Sequence, residues 1–407
     1  MAPAATLTAT LRYATGPGFG PTMVVGSTVS TLGKGVLGTV ANDPIDITSR
    51  VRSAVIRRAR TRALDKFEAG IATIQVLDTT GEFDPQDGTH GNPAPMLQVR
   101  LSATYDGTER LLFSGFTQDF DYQYQPGVDA SMLTITAVDA FRAFNLSTIT
   151  TVAGTSAGQS SGGRIDDILD AISWPTTVRN VDTGDATLAD DDGSSRDALS
   201  ALQLVAQAEM GGFWIDGDGD VRFLSRSNAV KTGRGTPTVF DDDGTDITYQ
   251  AVDFEMDEQL LINSAKITRT GGAAQTASDS TSITDYFERS YIKSALPFDT
   301  DAQSLDFARM VVQTRKDPEL RIRSITLDLT DDVQTRVEAG LDLDFFSPIT
   351  VNRTTPGGKR IAKTLTVQGV EHRIRPDRWI TKLSTAEMIA DGLTLGTDKL
   401  GTGFLGY

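Results

Sequence analysis

The stretch GGFWIDGDGDVRFLSR, Gly211 to Arg226, decides how the fold is read. Asp216, Asp218 and Asp220 alternate with Gly217 and Gly219 between two apolar runs. An EF-hand calcium loop places oxygen ligands at its first, third and fifth positions, glycine at the sixth and a bidentate glutamate at the twelfth. The three aspartates satisfy the first requirement, but Val221 and Ser227 occupy the other two positions. The flanks Phe213-Trp214-Ile215 and Val221-Arg222-Phe223-Leu224 read as strands, where an EF-hand needs helices. Gly and Asp tolerate the backbone of a tight turn, so the stretch predicts a structural β-hairpin that needs no metal.

Working outward, strands dominate. IATIQVLD, LQVRLSATYD, RLLFSGFTQDFDYQY and MLTITAVDA lie between residues 71 and 140, separated by Thr80-Gly81, Asp106-Gly107 and Pro126-Gly127. That spacing predicts a small antiparallel barrel or sandwich. AGTSAGQSSGG, Ala153 to Gly163, reads as a flexible boundary. After it, Ile165, Ile168, Leu169 and Ile172 mark one amphipathic helix. A second is expected from about Ser195 to Met210, capped by Ser194 or Ser195, with Leu199, Leu202, Val205 and Ala206 on its apolar face. Beyond Ser227 strands resume, interrupted by a helix near residues 300–314. Thr300 and Gln303 form its capping box, and Ala302, Leu305, Ala308 and Val312 share a face.

The fold class expected is β-rich α+β. Two barrel-like β domains, 46–150 and 229–386, flank an α+β insertion at 155–228. The second β region carries the helix-containing insertion. Residues 1–45 form an N-terminal extension and 387–407 a Gly-rich tail. LGKGVLGT near the start echoes LGTDKLGTGFLGY at the end. The spaced apolar residues Leu32, Leu37, Leu400, Phe404 and Leu405 are candidate anchors that dock on a neighbouring subunit.

Composition narrows the chemistry. The 407 residues suggest roughly two to four domains. There is no cysteine, which excludes disulfides, thiolate metal sites and a thiol nucleophile. A net charge of −16 disfavours a nucleic-acid-reading face. No membrane span or secretory signal is evident. His90 and His372, the only two histidines, lack the spacing of a zinc hydrolase. The runs Asp190–Asp192 and Asp241–Asp243 each precede Gly and read as solvated turns. No nucleophile elbow, phosphate loop or dinucleotide fingerprint occurs in context, so no cofactor is expected.

One segment inverts the charge. RVRSAVIRRARTR places Arg50, Arg52, Arg57, Arg58, Arg60 and Arg62 within thirteen residues. A solvated strand face and a nucleic-acid contact are both possible readings. The preferred one is an assembly interface with acidic protein surface, because guanidinium forks bind carboxylates bidentately.

The order of these pieces resembles the tail hub proteins of tailed bacteriophages, the tail-associated minor tail proteins of siphophages, related in fold to the baseplate hub of contractile phages. The resemblance rests on DITSRVRSAVIRRARTRALDKFEAGIATIQVLDTTGEFDP (46–85), LFSGFTQDFDY (112–122), LTITAVDAFRAFN (133–145) and ALSALQLVAQAEMGGFWIDGDGDVRFLSR (198–226). SDSTSITDYFERSY (278–291) and VQGVEHRIRPDRWITKLSTA (367–386) extend it. It implies a structural, non-enzymatic virion protein at the tail tip. Three chains, each giving two barrel-like domains, would form a homotrimeric ring that joins a sixfold tail to threefold tip parts. The implied partners are the distal tail protein, the tape measure protein and other minor tail or fibre proteins, with DNA passing through without tight binding. It also implies a packing role for His372 beside Trp379. The chain stops about twenty residues after the last hub strand, which argues against appended receptor-binding or wall-degrading domains. The alternatives are a cell-wall polysaccharide hydrolase, which needs a carboxylate pair across a groove, and a β-sandwich host-binding adhesin.

Overall fold

The computed structural model describes residues 3–14, 16–19, 44–60, 66–86, 94–124, 127, 130–256 and 260–387. The first β region contains β1 (Thr6–Arg12), β2 (Val51–Ala59), β3 (Ile71–Asp78), β4 (Gln98–Tyr105), β5 (Thr108–Tyr124) and β6 (Ser131–Val138). Alternation drives their pairing: Ala54 and Ile56 on β2, and Ala72, Ile74 and Val76 on β3, all point inward and are buried. A short helix, α1 (Phe141–Leu146), leads out of β6.

The middle unit holds α2 (Ser161–Ala171), β7 (Arg179–Val181), α3 (Ala198–Glu209), the hairpin β8 (Gly212–Ile215) and β9 (Val221–Leu224), and α4 (Arg226–Gly233). The hairpin is where the sequence places it, with β7 added in parallel alongside β9. Two local expectations change. Much of the Gly/Ser-rich stretch is built into the fold. Gln159–Ser160 pairs with Thr187–Leu188, Ser160 caps α2, and Ser161–Gly163 form its first turn. The cap of α3 is Asp197, which accepts from the Ser200 amide at 2.7 Å. Arg196 and Asp197 first pair as a strand with Thr148 and Ile149, which delays the helix past Ser194 and Ser195.

The second β region contains β10 (Thr238–Asp241), β11 (Ala251–Glu255), β12 (Ser264–Arg269), β13 (Gln275–Ser278), α5 (Ser280–Tyr286), β14 (Ser290–Leu296), α6 (Asp301–Arg315), β15 (Arg321–Asp328), α7 (Gln334–Asp342), β16 (Pro348–Thr354), β17 (Arg360–Arg375) and β18 (Arg378–Glu387). The capping box of Thr300 and Gln303 starts α6 as expected. Its buried stripe is Ser304, Phe307, Ala308, Val311 and Val312; Ala302 faces solvent because Phe307 and Val311 turn the helix onto β12 and β13. Those strands form a separate three-stranded sheet with β14.

The β-rich α+β class therefore holds, with one architectural point that periodicity could not supply. The two β regions share a single fourteen-stranded open sheet. The hinge of that sheet is β17. Its first half pairs with β16, its second half pairs with β2 on the same edge, and β18 runs along the opposite edge. A bulge between Val367 and Gly369 marks the switch. Gly369 is required there, since a Cβ would lie 2.6 Å from that of Ala59. One core joins Ile56, Ile74 and Phe113 to Ile325, Val351 and Trp379; a second joins α1, the middle unit and the α6 sheet.

The middle unit is held by one buried carboxylate. Glu209, at the end of α3, is 1% exposed. It accepts from Ser161 Oγ at 2.6 Å and from the amides of Ala186 and Arg226, each at 2.8 Å. The Asp185 amide also reaches it, at 3.0 Å. The side chain thus ties α2, α3, the loop after β7 and α4 together. Glu209→Ala leaves these buried donors without an acceptor and is expected to cost about 3–5 kcal/mol. Urea denaturation of the purified chain measures this, and a loss under about 1 kcal/mol would contradict it.

Candidate functional site

The arginine strand divides in two. Arg58 and Arg60 are 7% and 6% exposed, so they are internal. Arg58 forks onto Asp344, with Nη1 3.2 Å from Oδ2 and Nη2 3.1 Å from Oδ1, and lies over the Phe345 ring. Arg60 Nε donates to Gln368 Oε1 at 2.7 Å, and its guanidinium sits 4.7 Å from the Phe67 ring centre and 5.5 Å from that of Phe346. Trp214 of β8 closes on the same rings, so all three parts of the chain meet there. Arg50 is half-buried, donating to Glu82 at 2.7 Å beside Phe83. The expectation that these side chains form an outward surface is corrected for Arg58 and Arg60, because β2 is covered by β17 and by the loop after α7.

Arg52 and Arg57 do face solvent, Arg57 paired with Glu68 at 3.0 Å. Val55 and Ile71 are exposed beside them, at 39% and 41%. In register, Arg57 faces Ile71 on β3 and Glu371 on β17, while Val55 faces Thr73 and Arg373. This mixed face crosses the junction of the two β regions and is the remaining candidate contact surface. Arg62 lies outside the described residues, as do His90 and the terminal anchors Leu32, Leu37, Leu400, Phe404 and Leu405.

Two of the hairpin aspartates, Asp216 and Asp218, do separate jobs. Asp216 accepts from the amides of Asp218 and Asp220, both at 3.0 Å, and from Arg222 Nε at 2.6 Å. Asp218 pairs with Arg100 of β4. Ser114 Oγ of β5 donates to the Gly217 carbonyl at 2.9 Å, and a Cβ on Gly217 would lie 2.0 Å from the Leu111 carbonyl oxygen. The turn is a plug pressed against the first β region, and glycine allows the backbones to touch. No group of three or more His, Cys, Asp or Glu that could hold a metal occurs among the described residues.

The other acidic runs are more structural than solvated turns. Asp241 is fully buried against Arg360 and Asn352, and Asp242 binds Arg353 and the Thr354 amide. Asp191 pairs with Arg196. Sequence reasoning had no access to these partners, which lie on distant strands for Asp241 and Asp242.

A buried polar group sits under the junction. His372 of β17 takes Thr381 Oγ1 at 2.9 Å and Trp379 Nε1 at 3.4 Å on Nδ1, the packing role anticipated for this pair. Burial, then the charge of Arg58, pushes its pKa down to about 3. Asp139 accepts from the Gly70 amide at 2.6 Å and the Phe141 amide at 2.9 Å. Burial outweighs these donors and Arg58, raising its pKa to about 7. Both groups are sealed in the interior, which suits structure rather than proton transfer to a substrate.

The two shifts act in opposite directions. Below the ordinary value of 6.5 the unfolded chain binds a proton that folded His372 refuses until about 3, so its contribution is lost as pH falls through that window. Folded Asp139 keeps a proton from 3.8 to about 7 that the unfolded chain has released, so its contribution is lost as pH rises. Between about pH 4 and 6.5 the slopes offset. Relative to the unaltered chain, Asp139→Asn is expected to make stability rise with pH more steeply there, by up to about 1.4 kcal/mol per pH unit. His372→Gln is expected to tilt the curve the other way by a similar amount. Denaturation across that range reads both, and parallel curves for all three proteins would contradict the assignment.

No protein-family model and no curated protein matches the sequence. Solved structures match the fold. The tail protein from Neisseria meningitidis is 12% identical, with a TM-score of 0.58 over 94% of this chain and 96% of that one. The 43 kDa tail protein of prophage MuSo2 from Shewanella oneidensis is 13% identical, with a TM-score of 0.53 over 85% of this chain and 94% of that one. The Francisella PdpA–VgrG complex contains a chain 8% identical, with a TM-score of 0.50 over 94% of this chain and 52% of that one. At these identities the likeness is one of fold: along nearly its whole length the chain is folded as phage tail proteins are.

Proposed function

We propose that the chain is a structural hub at the tip of a phage tail, acting through assembly and carrying out no catalysis. The observation that carries this reading is the near end-to-end fold match to the Neisseria tail protein, which spans 94% of this chain and 96% of that one. In this reading the chain works in the virion. Each subunit contributes its two β regions as barrel-like units, and three subunits close a pseudo-sixfold ring. That ring joins the tail above, through the distal tail and tape measure proteins, to minor tail or fibre proteins below.

The chemistry of the chain suits such a part. Two β regions locked into one sheet give a stiff wall, and closing a ring covers strand edges that would otherwise template aggregation. A charge of −16 per chain disfavours holding DNA, a polyanion that must slide through a tail without being retained. The face carrying Arg52, Val55, Arg57 and Ile71 combines cations with exposed aliphatics and fits an acidic neighbour.

Cryo-EM of purified tail particles assembled with this chain tests the reading. Three copies in a ring at the tail tip are expected, around a bore with more Asp and Glu than Arg and Lys. Arg52→Glu combined with Arg57→Glu is expected to leave the subunit folded and prevent incorporation. Normal particles from that variant would refute the contact surface, and a position away from the tip would refute the hub.

A further inference from the structure

Phe287, at the end of α5, is held out into water at a cost to its own backbone. The residue is 81% exposed, and Tyr286 before it is 39% exposed. Its backbone lies at φ 62° and ψ 165°, a region that essentially only glycine occupies without strain. The conformation is locked from inside the protein. Asn263 is fully buried, and its Nδ2 donates to the Phe287 carbonyl at 2.8 Å. Its Oδ1 accepts from the Arg289 amide at 2.7 Å, and its own amide donates to the Arg289 carbonyl at 3.1 Å. The bend from α5 into β14 is therefore fixed, and Phe287 cannot relax without breaking these bonds.

The ring does nothing for the subunit that carries it. Neither hydrophobic core includes Phe287. Glycine would fit this backbone freely, so a phenylalanine costs the free subunit twice, in backbone strain and in apolar surface left in water. A strained, outward aromatic suits contact with a partner, because buried aromatics are the anchors that carry much of the binding energy at interfaces.

A complementary surface lies on the same chain. Val55 and Ile71 are the exposed aliphatics of the β2–β3 face, in register with Thr73 and Arg57. Three arginines there, Arg52, Arg57 and Arg373, outnumber Glu68 and Glu371. Around the Phe287 ring the balance reverses, where Asp285 and Glu288 outnumber Arg289. Phe287, Val55 and Ile71 are all exposed, so knob and face do not meet within one subunit.

We propose that Phe287 docks on the Val55–Ile71 face of a second copy of this chain, with Asp285 and Glu288 toward Arg52 and Arg57. Knob and face are different surfaces, so the contact runs head to tail and closes into a ring when the rotation between copies allows. The inference rests on the reading of the arginine face as a contact surface, and it names the partner of that face.

Sedimentation of the full chain over a concentration series tests the pairing by complementation. The unaltered chain is expected to self-associate. Phe287→Gly breaks the knob, and Arg52→Glu combined with Arg57→Glu breaks the face; each protein alone is expected to be monomeric. Their mixture is expected to form one-to-one pairs, since each supplies the surface the other lacks. Phe287→Gly is also expected to unfold in urea at a midpoint no lower than that of the unaltered chain, because glycine relieves the strain. A lower midpoint would show that the ring serves its own fold and would overturn the proposal. So would a monomeric unaltered chain, self-association retained by either variant, or a mixture that stays monomeric. The hub reading stands or falls on the position of the chain in the tail particle, so the two can fail separately.

Discussion

Everything in this molecule depends on the ladder between β2 and β17. From Ala54 paired with Ile374 to Ala59 paired with Gly369, it joins the two β regions. The backbone bonds alone would make a seam, and Arg58 and Arg60 turn that seam into a joint. Both guanidiniums are buried where the strands cross, and each is satisfied by a residue of the second region, Asp344 or Gln368. Removing Asp344 leaves the buried Arg58 guanidinium without its charge partner, at a cost on the order of 1–3 kcal/mol because Asp344 is itself 38% exposed and screened by solvent. The aromatic rings around Arg60 bring in Phe67, Trp214 and Phe346, so the middle unit is fixed at the same point.

The proposed hub would transmit load between neighbours, and such a part would need this kind of joint. Independent β domains on a linker would reorient freely, whereas one sheet with shared cores moves as a body. The other ties reinforce this. The hairpin plug fixes the middle unit to β4 and β5 through Asp218, Gly217 and Ser114. Tyr105 donates to Asp332 at 2.6 Å, and Arg110 pairs with Asp342, so the β4–β5 hairpin is held against the loop before α7 and the helix itself. The residues that hold shape are polar, from the buried Arg58 and Arg60 to the exposed Asp332 and Asp342, while Arg52, Val55, Arg57 and Ile71 face solvent.

Local features were legible in the sequence. The hairpin at Gly211–Arg226, the capping box of α6 and the apolar stripe of α2 each follow from residues within a few positions of one another. What escaped depends on distant partners. Arg58 and Arg60 read as surface because their acceptors lie 286 and 308 residues away. Asp241 read as a solvated turn because Arg360 and Asn352 are similarly remote. Glu209 did leave a trace: a glutamate ending an apolar helix just before two glycines is oddly placed for a solvated charge. The phasing of α6 was read in part: Ala308 and Val312 are buried as expected, while Ala302 is exposed and Leu305 half-buried because Phe307 and Val311 share the buried face.

Hydrogen exchange with mass spectrometry on the isolated chain tests the joint most directly. The account predicts that β2 and residues 369–374 of β17 exchange at one common slow rate, and that Arg58→Ala accelerates both together. Rapid exchange of β2 while β17 stays protected would show that the two β regions open independently, and would contradict the claim that they are locked together as one body.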